Sequence, residues 1–176
     1  MKIVNVHQRL LHATPERVGA LIDSLSSPAD ALWPRKSWPR MAFDGPLAVG
    51  AHGGHGPIRY FVEAYEPGQF VRFRFTGPKG FDGWHAFEIL EATAMHCVLE
   101  HRLEMTTRGF ATLSWLLAFR PMHDVAVEEA LSQAQRSLGL EPRAVPWPAS
   151  VRLLRWLMAL NRRAAGPAAE GKPYAR

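Results

Sequence analysis

His85 and His101 are the residues of this 176-residue chain best placed by pattern to do chemistry. They fall in residues 84–90 and 96–105, two stretches that alternate as strands do. If Phe87 and Ile89 point inward, His85 points inward with them. If Leu99 and Leu103 point inward, so do Cys97, His101 and Met105. A short turn around residues 92–94 pairs Ile89 with Cys97 and Phe87 with Leu99. That register sets His85 opposite His101, with Cβ atoms about 4.5–5.5 Å apart. Two imidazoles on an apolar face could hold a ligand oxygen or move a proton, because imidazole titrates near neutral pH. Backbone or water could equally satisfy them, and a bulge would reverse the faces.

Other reactive groupings point less far. His52-Gly-Gly-His55 has two imidazoles but no cysteine or carboxylate cluster nearby, whereas zinc takes three or four protein ligands. Its glycines read as turn formers, and no metal is expected. The loop also lacks the Gly-Lys-Ser/Thr ending of a phosphate cradle. His123 and Asp124 are adjacent in a helical stretch, so they diverge by about 100° and at most one faces a pocket. An ion-pair or capping role after Pro121 suits them. Cys97 lies mid-strand and reads as a small buried hydrophobe, and no Gly-x-Ser-x-Gly elbow is present. No catalytic residue is assigned beyond the candidates His85 and His101, and no cofactor is implied.

The elements that must position these residues follow from the pattern. A strand spans residues 2–12, with Val4, Val6, Gln8 and Leu10 on one face. Thr14 as cap, Pro15 and Glu16 open a helix whose Val18, Leu21, Ile22 and Leu25 form one stripe. Ser27-Pro28 predicts a second short helix through Asp30 and Leu32, stopped at Trp33-Pro34. Between residues 41 and 105, Gly/Pro pairs punctuate β-rich runs at 58–65, 70–76, 84–90 and 96–105. Short turns between successive strands imply an antiparallel meander. A long helix follows over 112–138, broken or kinked near Arg120 by Pro121, and Gly139 fits its C-terminal cap.

Composition narrows the function. The chain is 47% hydrophobic with one cysteine, which suits a single globular domain without an internal disulfide. No run approaches the roughly 20 apolar residues of a membrane span, no secretory signal is evident, and cytoplasmic is the expected location. The net charge of +5 is uneven: residues 1–142 carry 14 Lys/Arg against 15 Asp/Glu, a net −1, and residues 143–176 carry +6. A neutral body offers no broad phosphate-binding surface, so no nucleic acid is expected. Pro142, Pro146 and Pro148 predict a stiff linker over 140–149, then a separate helix over 150–164 and a mobile tail over 165–176. In that helix Val151, Leu153, Leu154, Trp156, Leu157, Met158 and Leu160 leave a narrow strip of Arg152, Arg155, Asn161, Arg162 and Arg163. Such a face packs on its domain, on a second copy, or on an anionic membrane surface through residues 150–163.

The element order resembles that of the START and birch-pollen-allergen-like superfamily, SRPBCC, which includes polyketide cyclases. The resemblance covers residues 1–139 and is carried by two stretches. One runs from Gly56-Pro57-Ile58-Arg59-Tyr60 through Tyr65-Glu66-Pro67-Gly68 to Val71-Arg72-Phe73-Arg74-Phe75. The other is Arg120-Pro121-Met122-His123-Asp124. It implies an α+β helix-grip fold, a curved antiparallel sheet of six or seven strands around a long C-terminal helix, with an elongated cavity. Leu47 to Ala51 would supply a further strand. The helix after Pro148 is additional to that pattern. The resemblance implies an apolar small-molecule ligand, lipid-like, polyketide-like or aromatic, bound by Trp33, Phe73, Phe75, His85, Phe87, Leu99, His101 and Leu103. The same superfamily holds enzymes, so a cyclase or dehydratase using a cavity histidine is the alternative, and an adaptor acting through the last helix is a third.

Overall fold

The computed structural model describes residues 1–164, and side chains through residue 160. Seven antiparallel strands form one curved sheet in the order β1-β7-β6-β5-β4-β3-β2. They are β1 (Lys2–Leu11), β2 (Ala42–Phe43), β3 (His52–His55), β4 (Ile58–Glu66), β5 (Phe70–Gly77), β6 (Phe81–Leu90) and β7 (Cys97–Thr107). The helices are α1 (Pro15–Asp23), α2 (Phe110–Ser114), α3 (Arg120–Ser137) and α4 (Ala149–Ala164). None is long and apolar enough to cross a membrane. The expected mobile tail, 165–176, and the side chains of Asn161, Arg162 and Arg163 lie outside the described residues.

The meander from β4 to β7 follows the turn signals, and the long helix changes its hydrogen-bond pattern just before the proline. Between α2 and α3 runs a five-residue π-helical stretch, Trp115–Phe119, and Pro121 stands in the first turn of α3. Proline lacks the N–H that a continuous α-helix would need there. Gly139, at φ 76°, ends α3, with Leu140 N–H donating to Gln135 O at 2.8 Å and Gly139 N–H to Arg136 O at 3.0 Å. These are the two bonds of a left-handed helix stop. At α1, Pro15 opens the helix, but the Thr14 side chain makes no capping bond to a described residue. Gly19 lets α1 lie against the β4–β5 turn, because a Cβ there would collide with the Gly68 carbonyl. The Asp23 carboxylate fastens the same junction by accepting from Tyr65 Oη at 2.8 Å and Gly68 N–H at 2.9 Å.

Four expectations need correction. Residues 27–32 form turns, not a helix. The Asp30 carboxylate accepts the backbone N–H groups of Ser26, Leu32 and Trp33 at 2.8–3.1 Å, so a side chain replaces the helical partners. The additional strand is not Leu47 to Ala51 but β3, with β2 beside it. There Gly53 and Gly54 are strand residues, since a Cβ on either would collide with a carbonyl of the adjoining strand, Ala42 O or Ile58 O. In β1 the face of Val4, Val6, Gln8 and Leu10 meets solvent, while Ile3, Asn5, His7, Arg9 and Leu11 turn inward. Asn5 Nδ2, His7 and Arg9 find hydrogen-bond partners on α3, which inverts the hydrophobic pattern. Last, residues 140–149 are no free spacer to a separate helix. Ser132 Oγ donates to Arg143 O at 2.8 Å, Trp147 Nε1 donates to Glu129 at 2.7 Å, and Val151 of α4 is buried. Arg155 lies over both Trp38 and Trp147, 4.7 and 4.6 Å from the ring centres. One side of α4 thus packs on the domain, and Leu153, Trp156, Leu157 and Leu160 stay exposed.

Candidate functional site

A cavity of about 100 Å³ lies between the sheet, the π-helical stretch, α3 and α4. Phe75, His85, His101 and Leu103 form its sheet wall, and Trp33 and Trp38 line it from the loop before β2. Trp115 and Phe119 come from the π-helical stretch, Met122 and His123 from α3, and Met158 from α4. Phe81 and His55 complete a lining that is aromatic and imidazole-rich. Aromatic side chains thus occupy much of what the resemblance implies as an elongated cavity. The remaining space is below the roughly 150 Å³ that accommodates benzene in an engineered cavity. The methionines at its rim, Met122 and Met158, are the side chains best able to yield.

The register of β6 and β7 differs from expectation by two residues. Ile89 pairs with Leu99, Phe87 with His101 and His85 with Leu103, because the connection after Leu90 extends to Cys97. A slip of two keeps every side chain on its face, whereas a slip of one would have reversed them. His85 and His101 therefore both face inward, as diagonal neighbours, with Nδ1 of His85 3.3 Å from Nε2 of His101. Trp33, Phe75 and Leu103 also line the cavity. Phe73, Phe87 and Leu99 do not; all three are fully buried in the core behind it. Phe73 stands 5.0 Å from the His85 ring and Phe87 4.7 Å from the His101 ring, so they hold the imidazoles in place.

The two imidazoles form a coupled unit. His85 Nε2 and His101 Nδ1 are buried with no hydrogen-bond partner among the described residues. A neutral imidazole carries one N–H. Whichever ring donates across the 3.3 Å contact, the pair must present one unpartnered donor and one unpartnered acceptor at its two ends. Burial holds both rings well below the usual histidine pKa, and the neighbouring imidazoles add to it. Burial likewise brings His55 down to about 3 and lowers His123, whose Asp124 neighbour opposes the shift. The cavity histidines are neutral at neutral pH.

Sequence reasoning missed several members of this site. His55, read as half of a turn, accepts or donates at 2.9 Å with the Tyr60 hydroxyl and packs 4.8 Å from the Trp33 ring. Burial pushes the Tyr60 phenol well above its usual range. Of the adjacent pair, His123 lines the cavity while Asp124 turns to β1, accepting from Asn5 Nδ2 at 2.8 Å and standing 3.3 Å from His7 Nε2. The other His7 nitrogen, Nδ1, lies 2.8 Å from Glu128, which also receives Arg9 at 2.7 Å. The shared parity of Asn5, His7 and Arg9 with Ile3 and Leu11, and the i,i+4 spacing of Asp124 and Glu128, were the available signals. Cys97 is buried at the end of β7 and behaves as a small core residue.

No family model matches the chain, and no curated protein matches it. Solved structures do. A solution structure from Thermobifida fusca superposes with a TM-score of 0.59 at 12% identity, covering 80% of this chain and 97% of that one. Norcoclaurine synthase from Thalictrum flavum, in complex with dopamine and hydroxybenzaldehyde, has a TM-score of 0.56 at 13% identity, covering 81% and 90%. CalU16 from Micromonospora echinospora has a TM-score of 0.55 at 14% identity, covering 87% and 82%. Identities this low show the fold alone, and the fold that the chain shares with these structures is the α+β helix grip, an antiparallel sheet around a long helix.

Proposed function

We propose that the protein binds a compact, largely apolar molecule, aromatic or aliphatic, that carries one hydroxyl or carbonyl group. The observation that carries this reading is the His85–His101 pair, whose two end nitrogens lack partners at the wall of an aromatic cavity. Leaving such groups unsatisfied costs about 1–3 kcal/mol each, so a ligand offering a hydrogen bond gains affinity there. Apolar burial at roughly 25 cal/mol per Å² supplies the remainder. The Thalictrum flavum synthase of the same fold is complexed with dopamine and hydroxybenzaldehyde, small aromatic molecules with polar substituents, which supports this ligand class. Large lipids and extended polyketides fit it less well, because about 100 Å³ of space would have to grow severalfold.

A second reading, a cyclase- or dehydratase-type enzyme, is favoured by one feature of the same pair. Two neutral imidazoles in contact can exchange tautomers together, so a proton taken up at one end leaves from the other. Native mass spectrometry of freshly purified full-length protein, against the same sample denatured, tests for a copurifying molecule. Titration with phenol and benzaldehyde, followed by backbone NMR shifts, tests the ligand class. Chemical-shift changes centred on His85, His101 and Phe75 are expected, and His85→Phe and His101→Phe should each weaken binding about tenfold, the worth of one hydrogen bond. Unaltered affinity in both variants would remove the imidazole pair from the binding site.

A further inference from the structure

Behind the cavity wall, where β1 meets the first turns of α3, the side chains of His7, His123 and Asp124 converge. One ligand atom from each lies within 4.8 Å of the other two. Asp124 Oδ1 is 3.3 Å from His7 Nε2 and 3.7 Å from His123 Nδ1. Donors bound to one tetrahedral ion at about 2.0–2.1 Å stand roughly 3.3 Å apart. The two separations from Asp124 Oδ1 thus need to close by no more than a few tenths of an ångström.

Three features distinguish this cluster from an ordinary ion pair. Among the described residues His123 Nδ1 is buried with no hydrogen-bond partner, although a carboxylate oxygen stands just beyond bonding distance. Asn5 Oδ1, on the side chain that holds the same carboxylate, is likewise buried and unpartnered. His7 is supported from behind as metal-binding histidines are: Nδ1 meets Glu128 at 2.8 Å, and Glu128 is fixed by Arg9 at 2.7 Å. The Glu128 contact fixes Nδ1 as an N–H donor, so Nε2, 3.3 Å from Asp124, is the nitrogen that would turn to a metal ion once the ion displaces its proton. Asn5 orients the carboxylate in the same sense at 2.8 Å.

We propose that His7, His123 and Asp124 form a binding site for a divalent transition-metal ion, held by two imidazoles and one carboxylate with a coordination position left open. Two nitrogens and one oxygen suit zinc, iron, cobalt or nickel and do not suit calcium or magnesium, which take oxygen ligands. Glu128, Arg9 and Asn5 are positioning residues. The site stands independently of any ligand in the cavity, though His123 belongs to both walls.

Tag-free full-length protein, stripped with chelator and titrated with Co²⁺, tests this. One Co²⁺ per chain is expected, with the visible absorption of a low-coordinate site, displaced by Zn²⁺ and not by Ca²⁺ or Mg²⁺. His7→Gln, His123→Gln and Asp124→Asn should abolish the spectrum, each checked for folding by circular dichroism. Glu128→Gln should weaken binding about 10- to 100-fold while retaining the spectrum. His96→Ala should change nothing, because His96 belongs to an unrelated surface group, its ring 6.4 Å from that of His12 and its Nδ1 3.1 Å from Thr93 Oγ1. Failure to take up one equivalent, uptake that survives a folded His123→Gln, or equal loss in His96→Ala would overturn the proposal.

Discussion

His101 and His7 are direct cross-strand partners on β7 and β1, yet their pKa values are shifted in opposite directions. His101 is surrounded by Phe87, His85 and His123, and burial keeps it neutral. For His7, burial pulls the same way, but hydrogen bonds and attraction from Asp124 and Glu128 outweigh it and raise the pKa. Depth alone therefore does not set the charge of an imidazole here. What decides it is whether α3 presents a carboxylate, and α3 presents two to β1 and, beside them, His123, Ala126 and Val127 to the cavity.

The largest test of this contrast is pH. His55, His85 and His101 have folded pKa values below the usual 6.5, so under acid the unfolded chain binds protons that the folded chain refuses. Their contribution is intact above pH 6.5 and is lost as pH falls below it, by on the order of 1 kcal/mol per pH unit for each ring. His7 has the opposite sign: its contribution is complete below pH 6.5 and fades as pH rises through its raised folded value. Urea unfolding from pH 8 to pH 5 should show stability falling by several kcal/mol, and falling more steeply in His7→Gln. A flat profile in the wild-type protein would mean that the cavity rings are not held neutral.

Next in size is Arg9→Met. It leaves Glu128 without its guanidinium and Gln135 without its 2.6 Å partner in a largely buried seam. A loss of about 2–4 kcal/mol is expected in urea unfolding at pH 8. A loss under about 0.5 kcal/mol would place this pair with exposed ion pairs instead. Smaller still, and opposite in sign, are two leucine variants. His7→Leu strips two carboxylates of a partner and should destabilise by about 1–2 kcal/mol, while His85→Leu combined with His101→Leu removes both unpartnered nitrogens together with the bond between the rings and should stabilise by about 1 kcal/mol. Melting temperatures moving in the same direction would break the contrast. The smallest effect is expected from Met158→Ala, at the rim formed by α4. It should favour indole over phenol by a few-fold in NMR titrations with little change in stability, since the rim and not the seam accommodates size.

Much of this molecule was legible in its residues, for reasons particular to each element. Pro15, Pro121 and Gly139 mark helix starts and stops because their backbone limits are local. His85 and His101 came out on the inward face despite a mistaken register, because parity survives a slip of two. The same parity rule failed in β1. Val4, Val6 and Leu10 are apolar, and yet they meet solvent, 52%, 40% and 49% exposed. Nothing near them in sequence reveals that Asp124, Glu128 and Gln135, more than a hundred residues away, satisfy Asn5, His7 and Arg9.

Residue types and short-range spacing alone determined the meander from β4 to β7, the start of α1, the stop of α3 at Gly139, and the inward pair of imidazoles. Those are consequences of backbone geometry over a few residues. The tertiary structure alone decided that His55 joins the cavity and that Phe73, Phe87 and Leu99 stand behind it. It also decided which histidine near α3 has its pKa raised and which have theirs lowered. Burial and hydrogen-bond partnership are properties of what packs opposite a side chain, and here the packing partner comes from the far end of the chain.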